Sequence, residues 1–90
     1  MTDIPFNKRI SHHYKGVDRC SSRNEAIGEA TNICTKVVNE TANAIGASVK
    51  NDAIDIDLIK HSHNNKKDKW TGKRSCKAHI EFDCKATLIQ

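Results

Sequence analysis

The chain divides by the spacing of its apolar residues. In "RNEAIGEATNICTKVVNETANAIG" the residues Ile27, Ala30, Cys34, Val37, Val38, Ala44 and Ile45 recur at intervals of three and four, the period of one helical face. Ser22 followed by Glu25 forms a capping box at one end, and Gly46 at the other can take the left-handed conformation that stops a helix. The pattern predicts one helix of about 23 residues, a rod of roughly 34 Å.

Elsewhere the period is two. In "SVKNDAIDIDLIKH" Ile54, Ile56 and Leu58 alternate with Asp55 and Asp57, as in a half-buried strand. In "SCKAHIEFDCKATL" one face collects Cys76, Ala78, Ile80, Phe82, Cys84, Ala86 and Leu88, and the other Lys77, His79, Glu81, Asp83 and Lys85. Both sulfurs of that strand are therefore expected in the core. Ahead of the helix, "PFNKRISHHYKGV" puts Phe6, Ile10 and Tyr14 on one side, a weaker strand because Lys8 and His12 interrupt the same face. The expected fold is a single α+β domain over residues 1–90, of order β-α-β-β. One long helix packs on a three-stranded sheet that contains a long β-hairpin.

Composition narrows the class. The 90 residues are 37% hydrophobic and 29% charged, with one Pro and four Gly, too ordered for a disordered tail and too polar for a membrane span. A core this small has a thin stability margin unless something staples it, and four cysteines can do so. Cys76 and Cys84, eight apart on one strand, are separated by about 26 Å and cannot bond to each other. If the first strand runs up, Cys20 lies at its top, and the descending helix sets Cys34 about 18 Å below its own start. A climbing second strand and a descending third then place Cys76 near the top and Cys84 lower down. Direction of travel thus pairs Cys20 with Cys76 and Cys34 with Cys84. The alternative is four free thiols, with Cys34 and Cys84 as small buried hydrophobes. "MTDIPFNKRI" contains no secretory apolar region, yet an even cysteine count in a short chain points to an oxidising compartment. Periplasmic or secreted is the expectation, with cytoplasmic as the alternative.

Two resemblances follow from these features. The order strand, helix, long hairpin, with "NEAIGEA" opening the helix and "AHIEFDCKATL" as the last strand, resembles dodecin, a small flavin-binding cage protein. This implies the β-α-β-β fold and self-association. Dodecin-type flavin stacking uses a Trp on the second strand, whereas Trp70 falls in the hairpin connection, so no cofactor is carried over. The cysteine layout is similar to that of the periplasmic lipoprotein sensor of the Rcs envelope-stress pathway, which has one Cys before its helix and a pair in its final strand region. Cys20, Cys76 and Cys84 match that layout, as "ANAIGASV" matches its helix-to-strand junction, while Cys34 departs from it.

Charge adds a candidate surface. Residues 60 to 77 hold Lys60, Lys66, Lys67, Lys69, Lys73, Arg74 and Lys77 against Asp68, a net of +6, leaving −2 of the overall +4 for the rest. Lysines that neutralise phosphates beside an aromatic that stacks on a base make Lys66, Lys67, Lys69, Trp70, Lys73 and Arg74 candidate polyanion contacts. The same lysines also suit a solvated loop that discourages edge-to-edge pairing. His61 and His63, two apart, share a face if extended and can chelate an ion, with His12, His13 or His79 as further ligands. No carboxylate-rich ligand spacing accompanies them, the cysteines show no CxxC or comparable zinc spacing, and "HSH" entering a turn is ordinary polar sequence. His79, Glu81 and Asp83 beside Asp55 and Asp57 form the acid-base set a nuclease-like enzyme would use, and also the expected solvent side of a sheet. The sequence therefore points to a non-enzymatic binding or interaction module, disulfide-stapled and self-associating or protein-binding. A nucleic-acid or polyanion binder acting through the hairpin is the alternative, and a small enzyme the third.

Overall fold

The computed structural model describes residues 2–17, 20, 22–67, 70, 72 and 74–90; the side chains of 16, 17, 65–67, 74 and 75 lie outside that description. Four elements follow in the expected order, β1 (Asp3–Val17), α1 (Arg23–Ile45), β2 (Ser48–Lys67) and β3 (Arg74–Ile89). The sheet order is β1-β3-β2, with β3 antiparallel to both neighbours. The central strand is thus the last one, and β1 and β2 are the edges.

Local chemistry sets the helix ends. The Ser22 hydroxyl accepts the Glu25 amide at 3.2 Å, satisfying one of the open donors of the first turn. Gly46 stands at φ 70°, and the Ala47 amide reaches back to the Ala42 carbonyl at 2.8 Å, closing the last turn. The buried row of α1 is Ala26, Ala30, Cys34, Val38 and Ala42, every fourth residue. This corrects the expected stripe: Ala44 is exposed and Ile45 is 40% exposed, while Ala26 and Ala42 are inside. A row of four-residue steps is inclined about 26° to the helix axis, a tilt that lets a helix follow a twisted sheet. Its small side chains bring the helix close.

Under that row lie Ile80, Phe82, Cys84 and Leu88 of β3, all at most 1% exposed, with Ile4, Phe6 and Ile10 of β1 and Val49, Ile54, Ile56 and Leu58 of β2 around them. Both disulfides of the expected connectivity are present. Cys20–Cys76 has Cα atoms 5.0 Å apart and Cys34–Cys84 has them 5.5 Å apart. The first ties the β1–α1 connection to β3, and the second pins the middle of the helix to the sheet.

Two irregularities break the alternation of β2. Its register against β3 shifts between Val49 and Ile54, where Asn51 and Asp52 hold positive φ of 57° and 51°, a conformation that Asn and Asp tolerate best after Gly. It shifts again between Leu58 and Lys60, so that Ile59 is the extra residue of a bulge and is 45% exposed. The molecule extends over 59 Å, whereas a helix of 23 residues spans about 34 Å. The hairpin end of the sheet therefore projects past the helix. No helix of the described residues is long and apolar enough to cross a membrane.

Candidate functional site: the open face and the hairpin end

The helix covers one face of the sheet, and the other is polar along the rows from Arg9 to Lys15. Register assigns each position. Arg9, Ser11, His13 and Lys15 of β1 lie beside Asp83, Glu81, His79 and Lys77 of β3. Across β3, Asp57, Lys60, Ser62 and Asn64 of β2 complete the rows.

These rows separate by charge. In the lower part Arg9 clamps Asp83 through Nε at 3.0 Å and through a second nitrogen at 3.3 Å, and Lys50 reaches Asp3 at 2.8 Å. The hydrogen bond from Arg9 holds the Asp83 carboxyl below its usual range, and the same contact raises the guanidinium of Arg9. Among the described residues, the upper part has no such compensation. The His13 and His79 rings stack with centroids 4.2 Å apart, Nε2 of His79 shares a hydrogen bond of 2.6 Å with the Ser11 hydroxyl, and Lys15 stands directly opposite Lys77. A shallow open depression there is lined by His13, Ser62, Asn64, Lys77 and His79. Among the described residues, no carboxylate shares these two rows.

The basic hairpin is mostly sheet. The sequence places residues 60 to 77 on a hairpin with its last strand from Ser75, and the strands extend further into it: β2 runs to Lys67 and β3 starts at Arg74, with Lys66 opposite Ser75 and Lys67 opposite Arg74. Trp70 is in the turn and 96% exposed. Lys69 and Lys73 lie outside the described residues, as do the side chains of Lys66, Lys67 and Arg74. "HSH" is likewise strand rather than turn entry. The bulge at Ile59 shifts the phase, so that His61 pairs with Ile80 and His63 with Ala78, both on the helix side.

The five histidines consequently divide between the two faces. His12, whose Nε2 is 3.4 Å from the Glu29 carboxylate of α1, shares the helix side with His61 and His63, whereas His13 and His79 occupy the open side. His13 and His79 therefore cannot join His61 and His63 around one ion. The acid-base set is not assembled either: His79 meets Ser11 and His13, and Asp83 is held by Arg9. Burial, reinforced by the charges of His63 and Arg23, lowers the proton affinity of His61.

Sequence reasoning missed the cationic rows. Lys15 is not in the 60–77 segment, and its partnership with Lys77 depends on the long-range register of β1 on β3. Compared with family models, curated proteins and solved structures, the chain matches none.

Proposed function

We propose that the protein is a disulfide-stapled binding module that recognises a polyanion through the upper open face of its sheet, continuous with the basic hairpin. The observation that carries this reading is Lys15 opposite Lys77 above the stacked His13 and His79. Like charges directly opposite on neighbouring strands are destabilising. An arrangement that costs stability without a partner is accounted for by one that supplies negative charge. The Ser62 hydroxyl and the Asn64 amide, opposite His79 and Lys77, add neutral donors for phosphate or sulfate oxygens. Recognition belongs to the face rather than the edges, because Pro5 in β1 and the two bulges of β2 oppose continuous edge-to-edge pairing. The two disulfides support an oxidising location, periplasmic or extracellular.

Retention on immobilised heparin and on DNA, followed against salt, tests the proposal. Binding should weaken steeply with salt, and the pair Lys15→Gln and Lys77→Gln should flatten the logarithmic salt slope by about two. Replacing Lys66, Lys67 and Lys69 together with Gln should do the same for the hairpin and lower affinity alike across sequences. A protein that flows through both columns at low salt is not a polyanion binder.

A further inference from the structure

On the helix side of the hairpin end, a second cluster stands apart from the cationic rows. After the bulge at Ile59, β2 brings the rings of His61 and His63 into an edge-on contact with centroids 4.3 Å apart. Beside them β3 places Cys76, one row past Ala78, the partner of His63. A ring nitrogen of His63 and the sulfurs of Cys20 and Cys76 all lie within 4.8 Å of one another. The two disulfides also differ in access. Cys34 and Cys84 are both 0% exposed, whereas in the other bond Cys76 is 2% exposed but its partner Cys20 is half-buried, beside the exposed His63.

We propose that Cys20–Cys76 is the oxidised form of a zinc site, in which the two thiolates and His63 bind one Zn²⁺ once a thiol or phosphine reductant has opened the bond. Two electrons from the reductant cleave the sulfur–sulfur bond, and two protons give a pair of thiols. A dithiol reductant leaves as its cyclic disulfide, and a phosphine as its oxide, with the oxygen and both protons taken from water. Zn²⁺ then displaces both thiol protons to solvent, and the imidazole of His63 donates the lone pair of one nitrogen. With zinc–sulfur bonds of about 2.3 Å and a zinc–nitrogen bond of about 2.0 Å, tetrahedral ligands are separated by roughly 3.5–3.8 Å. The three atoms already fall within reach of that spacing, so side-chain rotation of about an ångström assembles the set. Thiolate and imidazole together select zinc over the oxygen-seeking cations. His61, whose ring centroid is 4.3 Å from that of His63, or a water completes the fourth position. This site is on the face opposite Lys15 and Lys77, so its ligands are distinct from the polyanion contacts, and metal binding by the reduced chain tests it separately from heparin or DNA retention by the oxidised chain.

The test is metal binding by the full chain before and after mild treatment with a phosphine, with peptide mass mapping to follow which bond opens. The partly buried pair should open first. Cobalt(II) should then bind at one equivalent with the intense visible bands of a tetrahedral site and thiolate charge-transfer absorption, both displaced by zinc, while the oxidised chain shows neither. His63→Gln should weaken binding at least about tenfold, since losing even a supporting partner of a ligand has that effect. If the reductant opens both bonds, zinc should slow alkylation of Cys20 and Cys76 relative to Cys34 and Cys84. Reduced protein without tetrahedral cobalt bands, bands unaltered by His63→Gln, or equal alkylation of all four thiols with and without zinc would each overturn the proposal.

Discussion

Removing the buried disulfide by Cys34→Ala with Cys84→Ala measures how far this domain depends on cross-links. Taken alone, a bond spanning a separation of 50 residues restricts the unfolded chain by about 4 kcal/mol, and the bond spanning 56 by nearly the same amount. The two loops overlap, however. With Cys20–Cys76 intact, the path from Cys34 to Cys84 runs back about 14 residues to Cys20, crosses the bridge and continues about eight from Cys76, a loop of roughly 22. The second bond then contributes about 3.4 kcal/mol rather than 4. The substitutions also leave a small void where both sulfurs are 0% exposed, which adds to the cost. For 90 residues an unfolding entropy of about 190 cal/mol/K converts this loss into a fall in Tm of about 18 °C. Urea titration of both proteins gives the free energy directly, and the slope should rise because the unfolded variant is less compact. A loss under about 1 kcal/mol with an unaltered slope would refute the loop-closure account.

Three further outcomes follow from the same geometry. Phe82 is 0% exposed under the helix, so Phe82→Ala should cost about 3–5 kcal/mol by chemical denaturation, and an unshifted midpoint would take that face of β3 out of the core. Gly46 holds φ at 70° with open space where a Cβ would go, so Gly46→Ala pays only the left-handed backbone cost of about 1 kcal/mol, and a neutral result would mean the helix ends differently. His61 has a folded-state proton affinity below its ordinary 6.5, so the unfolded chain binds more protons as the medium acidifies. The stability it contributes is complete above about pH 6.5 and is lost as pH falls toward the lowered folded value. Thermal melts between pH 7.5 and 5 should show that decline for the parent and a weaker one for His61→Gln, and parallel profiles would assign it to another group.

What the sequence disclosed tracks how local the determining chemistry is. Ser22 and Gly46 act on their immediate neighbours, and the helix ends where they stand. Direction of travel is nearly as local, which is why the pairing of four cysteines could be read from the order of elements. The buried helix row was harder, because distance to the sheet favours small Ala26 and Ala42 over the larger Ile45. The bulges of β2 were out of reach. "KND" gives a turn signal without its depth in the sheet, and Ile59 after Leu58 breaks the alternation without revealing that the strand continues for eight more residues, to Lys67. Residues from His61 to Lys67 lack apolar alternation, and their strand conformation comes from hydrogen bonding to β3 rather than from their own propensities. Lys15 and Lys77 meet across 62 positions of sequence, a pairing that only the register of β1 on β3 creates.

Cross-linking and the open face have a common cause. One helix can cover only one side of a sheet, and here it buries a single layer in which Phe82, Ile80 and Leu88 are the largest side chains. A second covering layer would add core but occupy the surface that holds His13, Lys15, Lys77 and His79. The Cys34–Cys84 bond stabilises the domain without taking up that surface, because both of its sulfurs lie on the helix side. The Cys20–Cys76 bond acts where the helix no longer reaches, and Cys76 is adjacent in β3 to Lys77, with its side chain on the opposite face. Successive residues of a strand alternate faces, so a restraint on Cys76 from below fixes the backbone that presents Lys77 above. The cationic rows can then carry unpaired charge because the strand beneath them is held covalently rather than by the charges themselves.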